Sequence, residues 1–335
     1  MDDKREQIIT DRFIRFIAGI TDEDVLREKL NLLMSPGETF AIAQRLEAAK
    51  MLNAGKTYSE IVRETDINTF ILSRLETILE NTGDELDCAP ESYKSFASVY
   101  DELTHDVEYE KRFKYIEKIF KKYNTSPKIV LDLACGTGGM TTIMAKNGYD
   151  MIGVDISTDM LEAANAKSDG LNILYLNQPM QELDLYGTVD AAICLLDSIN
   201  YLEDEDEMLQ TFRLVENFLN PKGLFIFDIN TKYKLEHVLA GNVFCGEDDN
   251  VYYTWQNFYD KEEKVCEFKL DFFITEDGVI NRHTEYHYET AFGISEIKRN
   301  LKKAGFELLE VCDDLTFDAP HRKSEKVFFI ARKIR

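Results

Sequence analysis

Residues Leu131 to Gly139 read LDLACGTGG and directly follow the apolar run KIVLDL. A second apolar run, DMIGVDIS, carries Asp155 near its end. A strand closing on a tight Gly-x-Gly turn, then a helix, then an acid about two dozen residues on, forms a nucleotide-cradling strand-turn-helix. This stretch constrains the fold more than any other. Parallel strands must be joined by a long crossover, and the turn demands backbone angles that bare residues reach most easily.

Two ligands compete for such a turn. A dinucleotide fingerprint needs Gly-x-Gly-x-x-Gly; with Gly136 and Gly138 as its first glycines, Thr141 takes the third place, where a small residue should let helix and strand approach. A nucleoside amino acid without phosphate, such as S-adenosylmethionine, also needs a bare backbone at Gly136 and Gly138. It needs in addition an acid near its amino end, which Asp132 supplies. In both readings Asp155 accepts hydrogen bonds from two ribose hydroxyls. An ordinary tight turn is the third reading. The acid at Asp132 places the sulfonium compound ahead of NAD and an oxidoreductase.

Composition narrows the partners. A chain of 335 residues with 44% hydrophobic content can hold two domains with real cores. A formal charge of −23 argues against a nonspecific nucleic-acid surface, which needs clustered Lys and Arg. It could also help attract a cationic cofactor or an amine. Six cysteines are scattered without Cys-x-x-Cys or metal-like His spacing, so no metal is expected. The charged start MDDKREQ and the lack of any run near about 18 apolar residues predict neither signal peptide nor membrane span, and hence a cytoplasmic protein.

Along the chain, the first eighty or so residues carry helical periodicity in IITDRFIRFIAGI, VLREKLNLLM and FAIAQRLEAAKML. Ser35-Pro36 reads as a helix start and Thr57 as the cap of YSEIVRET. With TFILSRLETILEN after the turn at residues 66–68, the layout is that of a helix-turn-helix; a helical dimerisation bundle fits it too. NTGDELDCAPES is aperiodic and reads as a linker. The expected domains are therefore residues 1–82, a linker at 83–92, and residues 93–335. In the last of these, strands and helices alternate as for a parallel sheet covered on both faces, with the ligand at the strands' carboxyl ends. VYYTWQNFYD, KVCEFKLDFFIT and VINRHTEYHYE then alternate as antiparallel strands inserted after the fifth strand, a sheet that could roof the site. His283, Glu285 and His287 would project from one of its faces.

From Ser92 onward the chain resembles the class I S-adenosylmethionine-dependent methyltransferases. The likeness rests on YKSFASVYDEL, the glycine turn, GVDIS-TDML, NQPMQELDL, CLLDSINYL, GLFIFDINT, INRHTEYHYE and the closing AGF-to-VFFIARK strands, in that order and spacing. It implies an α/β, Rossmann-like class I methyltransferase sheet with an inserted antiparallel β sheet. It also implies that Asp132, Ala134, Gly136 and Gly138 line the methionine end and that Asp155 holds the ribose. Ile156, Gln178, Met180 and Leu195 complete the cofactor set, with Gln178 and Met180 flanking the adenine. Pro179 stands where relatives usually carry an acid, so that side chain's bond to the adenine amino group is lost. Ala134 replaces the family's first glycine.

Residues 11–81 resemble the Trp repressor-like helix-turn-helix family, most distinctively in AQRLEAAKML-x-x-GKTYSEI, which implies an all-α N-terminal domain. In Trp repressor the positions matching Ser35, Arg45 and Arg74 surround the tryptophan. Leu75, where a small residue is usual, would obstruct an indole and argues against tryptophan sensing. The recognition helix offers Arg74 but also Phe70, Glu76 and Glu80, a poor set for phosphate contacts. DNA binding and homodimerisation both stay open for this domain.

Methyl transfer asks the protein mainly to align an acceptor and exclude water. Glu285 and His287 are the candidates for orienting or deprotonating that acceptor, and Tyr100 for covering the cofactor. Asp197, Asn200 and Trp255 are candidate substrate contacts. DSINYL lacks the Asn-Pro-Pro-Tyr type signature of enzymes that methylate nucleobase amines. The sequence thus predicts a methyltransferase acting on a small N- or O-acceptor. The rival is a DNA-binding regulator whose C-terminal part senses S-adenosylmethionine.

Overall fold

In a computed structural model, the chain divides into two compact units, Met1–Cys88 and Ala89–Arg335. The structure describes residues 107–168, 170–248, 251–276 and 279–334, together with 36–53, 56–65 and shorter stretches between 29 and 75.

In the N-terminal unit, α1 (Pro36–Asn53) starts at the proline, whose missing N–H costs nothing in a first turn, and α2 (Tyr58–Thr65) follows. Glu60 accepts from both the backbone N–H (3.0 Å) and the hydroxyl (2.8 Å) of Thr57, tying down the start of α2. Ala48, Met51, Ile61, Ile67 and Leu72 form the core, and Leu75 packs against it. Leu75 is thus part of the packing around that core. Ser35, Phe70, Arg74, Glu76 and Glu80 lie outside the described residues, whereas Arg45 is exposed.

In the second unit, α3 (Tyr109–Lys122) precedes an alternation of β1 (Ile129–Leu133), α4 (Gly139–Lys146), β2 (Asp150–Asp155), α5 (Thr158–Lys167), β3 (Ile173–Asn177), β4 (Val189–Cys194), α6 (Glu205–Phe218) and β5 (Leu219–Asn230). After the insertion come α7 (Ile294–Ala304), β10 (Phe306–Asp313) and β11 (Lys326–Lys333). The seven-stranded sheet has the order β10-β11-β5-β4-β1-β2-β3, with β10 and β11 antiparallel to their neighbours and the rest parallel. Both faces are covered. Leu131, Phe225, Phe227 and Phe329 pack under α6 and α7, while Val130, Ile193, Ile226 and Phe328 pack under α3 and α4. That double burial explains why these strands read as continuous apolar runs.

The insertion is a four-stranded antiparallel sheet, β6 (Val243–Asp248), β7 (Val251–Asp260), β8 (Val265–Glu276) and β9 (Val279–Thr290), in sequence order. Three of these strands were expected. β6 was not: VFCGED is short, holds a glycine and two acids, and forms an edge. Trp255 pairs with Leu270 and Leu270 with Glu285, while Asn257 pairs with Phe268 and Phe268 with His287. Cross-strand partners share a face, so Trp255, Phe268, Glu285 and His287 all point one way. That is the inner face, since Phe268 and Phe272 on it are buried while Tyr252 and Phe258 on the other are exposed. Met160 of α5 packs against Val251, Phe272 and Ile274, placing this face beside the carboxyl end of β2.

Candidate active site

The turn after β1 is built from left-handed backbone. Ala134 (φ 58°), Gly136 (φ 53°) and Gly138 (φ 73°) all lie in the region that disfavours a Cβ. The two glycines differ in what surrounds them. Nothing stands within 4 Å of a Cβ placed on Gly136, so its bare backbone faces open space. On Gly138 a Cβ would meet the Tyr175 hydroxyl at 2.7 Å and Ala164 at 3.0 Å. Its bareness therefore serves helix-strand packing, whereas that of Gly136 leaves room beside the turn. Thr141 sits at the expected third position and donates its hydroxyl to Asp132 at 2.5 Å.

Two carboxylates flank this turn. Asp155 accepts from the N–H of Gly136 (2.8 Å) through one oxygen and of Ser157 (2.9 Å) through the other. Each oxygen keeps acceptor capacity for a hydroxyl. Burial raises the Asp155 carboxyl and these amide donors work against the rise. Asp132 is 3% exposed. Burial pushes its carboxyl up to about 7, the Thr141 hydroxyl opposes this, and the Asp155 charge adds to it. A cation bound nearby would hold both acids ionised. Beside them, Ile156 presents aliphatic surface with 64% exposure. Met180 and Leu195 are packed into the two cores flanking the sheet. The Gln178 amide instead closes its own loop, donating to Asp184 O (3.1 Å) and accepting from Asp184 N–H (3.0 Å). Open space at Gly136, one buried and one half-buried acid, and an exposed Ile156 suit an adenosyl compound bearing an ammonium group.

At the ends of β4 and β5 the construction is different. Leu196 and Asp197 both take left-handed φ, at 59° and 58°. Non-glycine residues hold such angles only where their surroundings enforce them. Here the Asp197 N–H donates to Asp228 Oδ1 (2.6 Å) and the Asp197 carboxylate receives the Lys326 ammonium. Asp228 is fully buried and also receives Arg112 at 3.3 Å. Burial alone would raise the Asp197 carboxyl, but Lys326 and Lys234 hold it below the ordinary range. Glu289, buried beside Asp197, is driven the opposite way by burial and by that negative charge. Asn230 donates to it at 2.8 Å and accepts from Lys234 at 2.9 Å.

Asn200 is completely buried. Its amide nitrogen donates to Asn230 O (3.1 Å) and Thr290 O (2.9 Å), and its oxygen accepts from the Asn230 N–H (2.9 Å). Its polar atoms therefore hold backbone, which leaves the substrate role given above without a free group. On the inserted sheet, Glu285 Oε2 lies 3.1 Å from His287 Nε2, and the Tyr201 hydroxyl lies 3.4 Å from His287 Nδ1. The sequence reading missed Tyr201, although it stands one residue after Asn200 in DSINYL. Trp255 packs between Phe244 (5.3 Å) and Phe268 (5.6 Å), and its buried indole N–H finds no hydrogen-bond partner among the described residues. Tyr100 lies outside the described residues. Among the described residues no group of three or more His, Cys, Asp or Glu is placed to hold a metal ion, and no helix is long and apolar enough to cross a membrane.

Known proteins resemble this chain in both of its parts. Residues 130–223 match the family model "Methyltransferase domain", and residues 10–91 match "Trp repressor protein". Two proteins named "Putative methyltransferase", from Geobacillus sp. (strain WCH70) and Bacillus subtilis (strain 168), are each 35% identical to the chain. They cover 72% of it with 100% and 97% of their own lengths. A solved S-adenosylmethionine-dependent methyltransferase from Clostridium acetobutylicum ATCC 824 is 32% identical, covering 72% of this chain and 98% of its own, with a TM-score of 0.66. The chain belongs to the S-adenosylmethionine-dependent methyltransferases. This methyltransferase carries a Trp repressor-like domain ahead of its catalytic fold.

Proposed function

We propose that the enzyme transfers the methyl group of S-adenosylmethionine to a nitrogen or oxygen of a small molecule. The observation that carries this reading is the inner face of the inserted sheet, which brings Glu285, His287 and Trp255 together beside the strand ends. Bound S-adenosylmethionine supplies an electrophilic methyl group on a sulfonium. In this reading Gly136 gives its amino acid portion room and Asp132 faces its ammonium group. Asp155 accepts the ribose hydroxyls, and Ile156 and Met180 border the adenine. Ala134 and Leu195 shape the turn and the strand end, and Gln178 fixes its loop rather than the base.

Acceptor recognition is assigned to the other half of the site. Glu285 and His287 orient or deprotonate the acceptor, the Trp255 ring walls its side of the site, and Asp197 shapes the floor. Tyr100 keeps its expected role as a cover. A charge of −23 favours an amine or neutral acceptor over an anionic polymer. A metabolite panel scored for S-adenosylhomocysteine release tests the reading; no release with bound cofactor would remove it.

We assign residues 1–82 to the helical domain, 83–92 to the linker and 93–335 to catalysis, in a cytoplasmic protein. The Trp repressor-like match at residues 10–91 favours one second reading: a regulator that binds DNA through that domain and senses the cofactor through the other. We prefer a dimerising role. Gel-shift assays on genomic fragments with and without S-adenosylmethionine separate them: specific, cofactor-dependent retention supports the regulator, and its absence supports the enzyme alone.

A further inference from the structure

We propose that Tyr201 takes the proton from the methyl acceptor, at the outer end of a chain running Tyr201–His287–Glu285. The inference rests on the methyl-transfer reading above and names the group that meets the acceptor. The three side chains come from two elements far apart in sequence. Tyr201 ends the short 3-10 turn Ser198–Tyr201 after β4, whereas Glu285 and His287 alternate along β9 and share its inner face. Their exposure falls in order: Tyr201 is 47% exposed, while the His287 and Glu285 side chains are 23% and 15% exposed. The phenol therefore stands at the open end and the carboxylate at the closed end.

Hydrogen-bond chemistry gives the chain a direction. An ionised carboxylate only accepts, so Glu285 draws the imidazole hydrogen onto Nε2, 3.1 Å away. His287 Nδ1 then carries a lone pair, and the Tyr201 hydroxyl 3.4 Å away is placed to donate to it. A phenol oxygen carries two lone pairs, so it can take up a proton as it gives its own away, and Tyr201 is exposed to an incoming one. The turn that presents Tyr201 is firmly held. Ser198 donates to Leu195 O at 2.8 Å, and Asn200, adjacent to Tyr201, is locked to both Asn230 and Thr290.

The proton inventory balances without a further reactant. The acceptor's lone pair forms the new bond to the methyl carbon while the electrons of the carbon–sulfur bond stay on sulfur. The acceptor's proton passes to the Tyr201 oxygen as Tyr201 gives its own to His287 Nδ1. The positive charge that was on sulfur ends on the imidazolium, opposite the Glu285 carboxylate. Such a chain serves an acceptor with a hydrogen to lose, namely a primary or secondary amine or a hydroxyl. It has no use with a tertiary amine or a thioether. Tyr201 is then the catalytic group, and His287 and Glu285 are positioning residues that orient it and carry its proton away.

Imidazole nitrogen NMR on the full-length, histidine-labelled protein tests this directly. The chain has five histidines, and His287→Asn assigns the signal. The expected result is an Nε2–H tautomer whose Nδ1 resonance moves in Tyr201→Phe, with the tautomer balance shifting in Glu285→Gln and returning in Glu285→Asp. An Nδ1–H tautomer in the wild type, or an Nδ1 signal indifferent to Tyr201→Phe, would overturn the proposal. With an acceptor from the panel, Tyr201→Phe should lower kcat by at least about 100-fold and leave the KM for S-adenosylmethionine unchanged. A kcat within about threefold of wild type would also overturn it. No S-adenosylhomocysteine from any acceptor, with cofactor bound, would instead overturn the activity itself, and the proposal with it.

Discussion

The two halves of the site are made from different materials. At the ends of β1 and β2 the structure uses backbone and short-range partners: left-handed turns, amide donors, and acids whose partners lie in the turn after β1, in the helix that follows it, or two residues on. At the ends of β4 and β5 it uses side chains that reach across the fold, with Asp197 on Lys326, Asp228 on Arg112 and Asn200 on Thr290. The first half suits a ligand that is the same throughout a family. The contrast also implies different sensitivities, since a buried ionic network fails when one member is removed, whereas an amide-lined turn loses only the bonds deleted.

The sharpest way to break the comparison is Asp228→Ala. It leaves Arg112 and Lys326 buried with half their compensation, so unfolding by denaturant should show a loss of about 3–5 kcal/mol. A loss under about 1 kcal/mol would mean that the network is decorative and the contrast false.

Asp132→Asn comes next, and its effect depends on pH. The folded carboxyl titrates at about 7 against an ordinary value of 3.8. The wild type therefore loses stability as pH rises through the window between those values, because the folded state resists ionisation. Below the window both states are protonated and the variant should match it; above, the variant should gain roughly 2–4 kcal/mol while binding S-adenosylmethionine more weakly. Paired melts at low and high pH without ligand check the sign, and a constant difference would refute the buried-acid account.

Asp155→Ala should weaken cofactor binding by about 1–3 kcal/mol in calorimetry. An unchanged affinity would remove Asp155 from the ribose. The smallest effect is expected from Ala134→Gly. It relaxes a left-handed φ of 58° and should raise stability by up to about 1 kcal/mol, set against the greater entropy of an unfolded glycine.

The same contrast explains what was legible. The turn, its helix and Asp155 could be read because their signals sit within about two dozen consecutive residues and follow backbone rules. The inserted strands betrayed themselves by alternation, except β6, whose glycine and acids hide the period. Gln178 and Asn200 stand after β3 and β4, and their partners are backbone groups that no spacing rule reveals. Asp228 and Lys326 read as the unremarkable polar ends of apolar strands. Only tertiary contact joins them to Asp197, and only the pairing of β9 with the turn after β4 brings Tyr201 to His287.

Asn200 carries a final consequence. The chain leaves the nucleotide-binding sheet at Asn230 and regains it after Thr290, and one carboxamide fastens both of those seams. The inserted sheet is thus tied to its frame at both crossings, in addition to the bond from Asn230 to Glu289 and the packing of Met160 on Phe272. A graft that exchanges residues 231–289 between relatives and keeps Asn200 should change which acceptor is methylated in a metabolite panel while the calorimetric affinity for S-adenosylmethionine stays as it was.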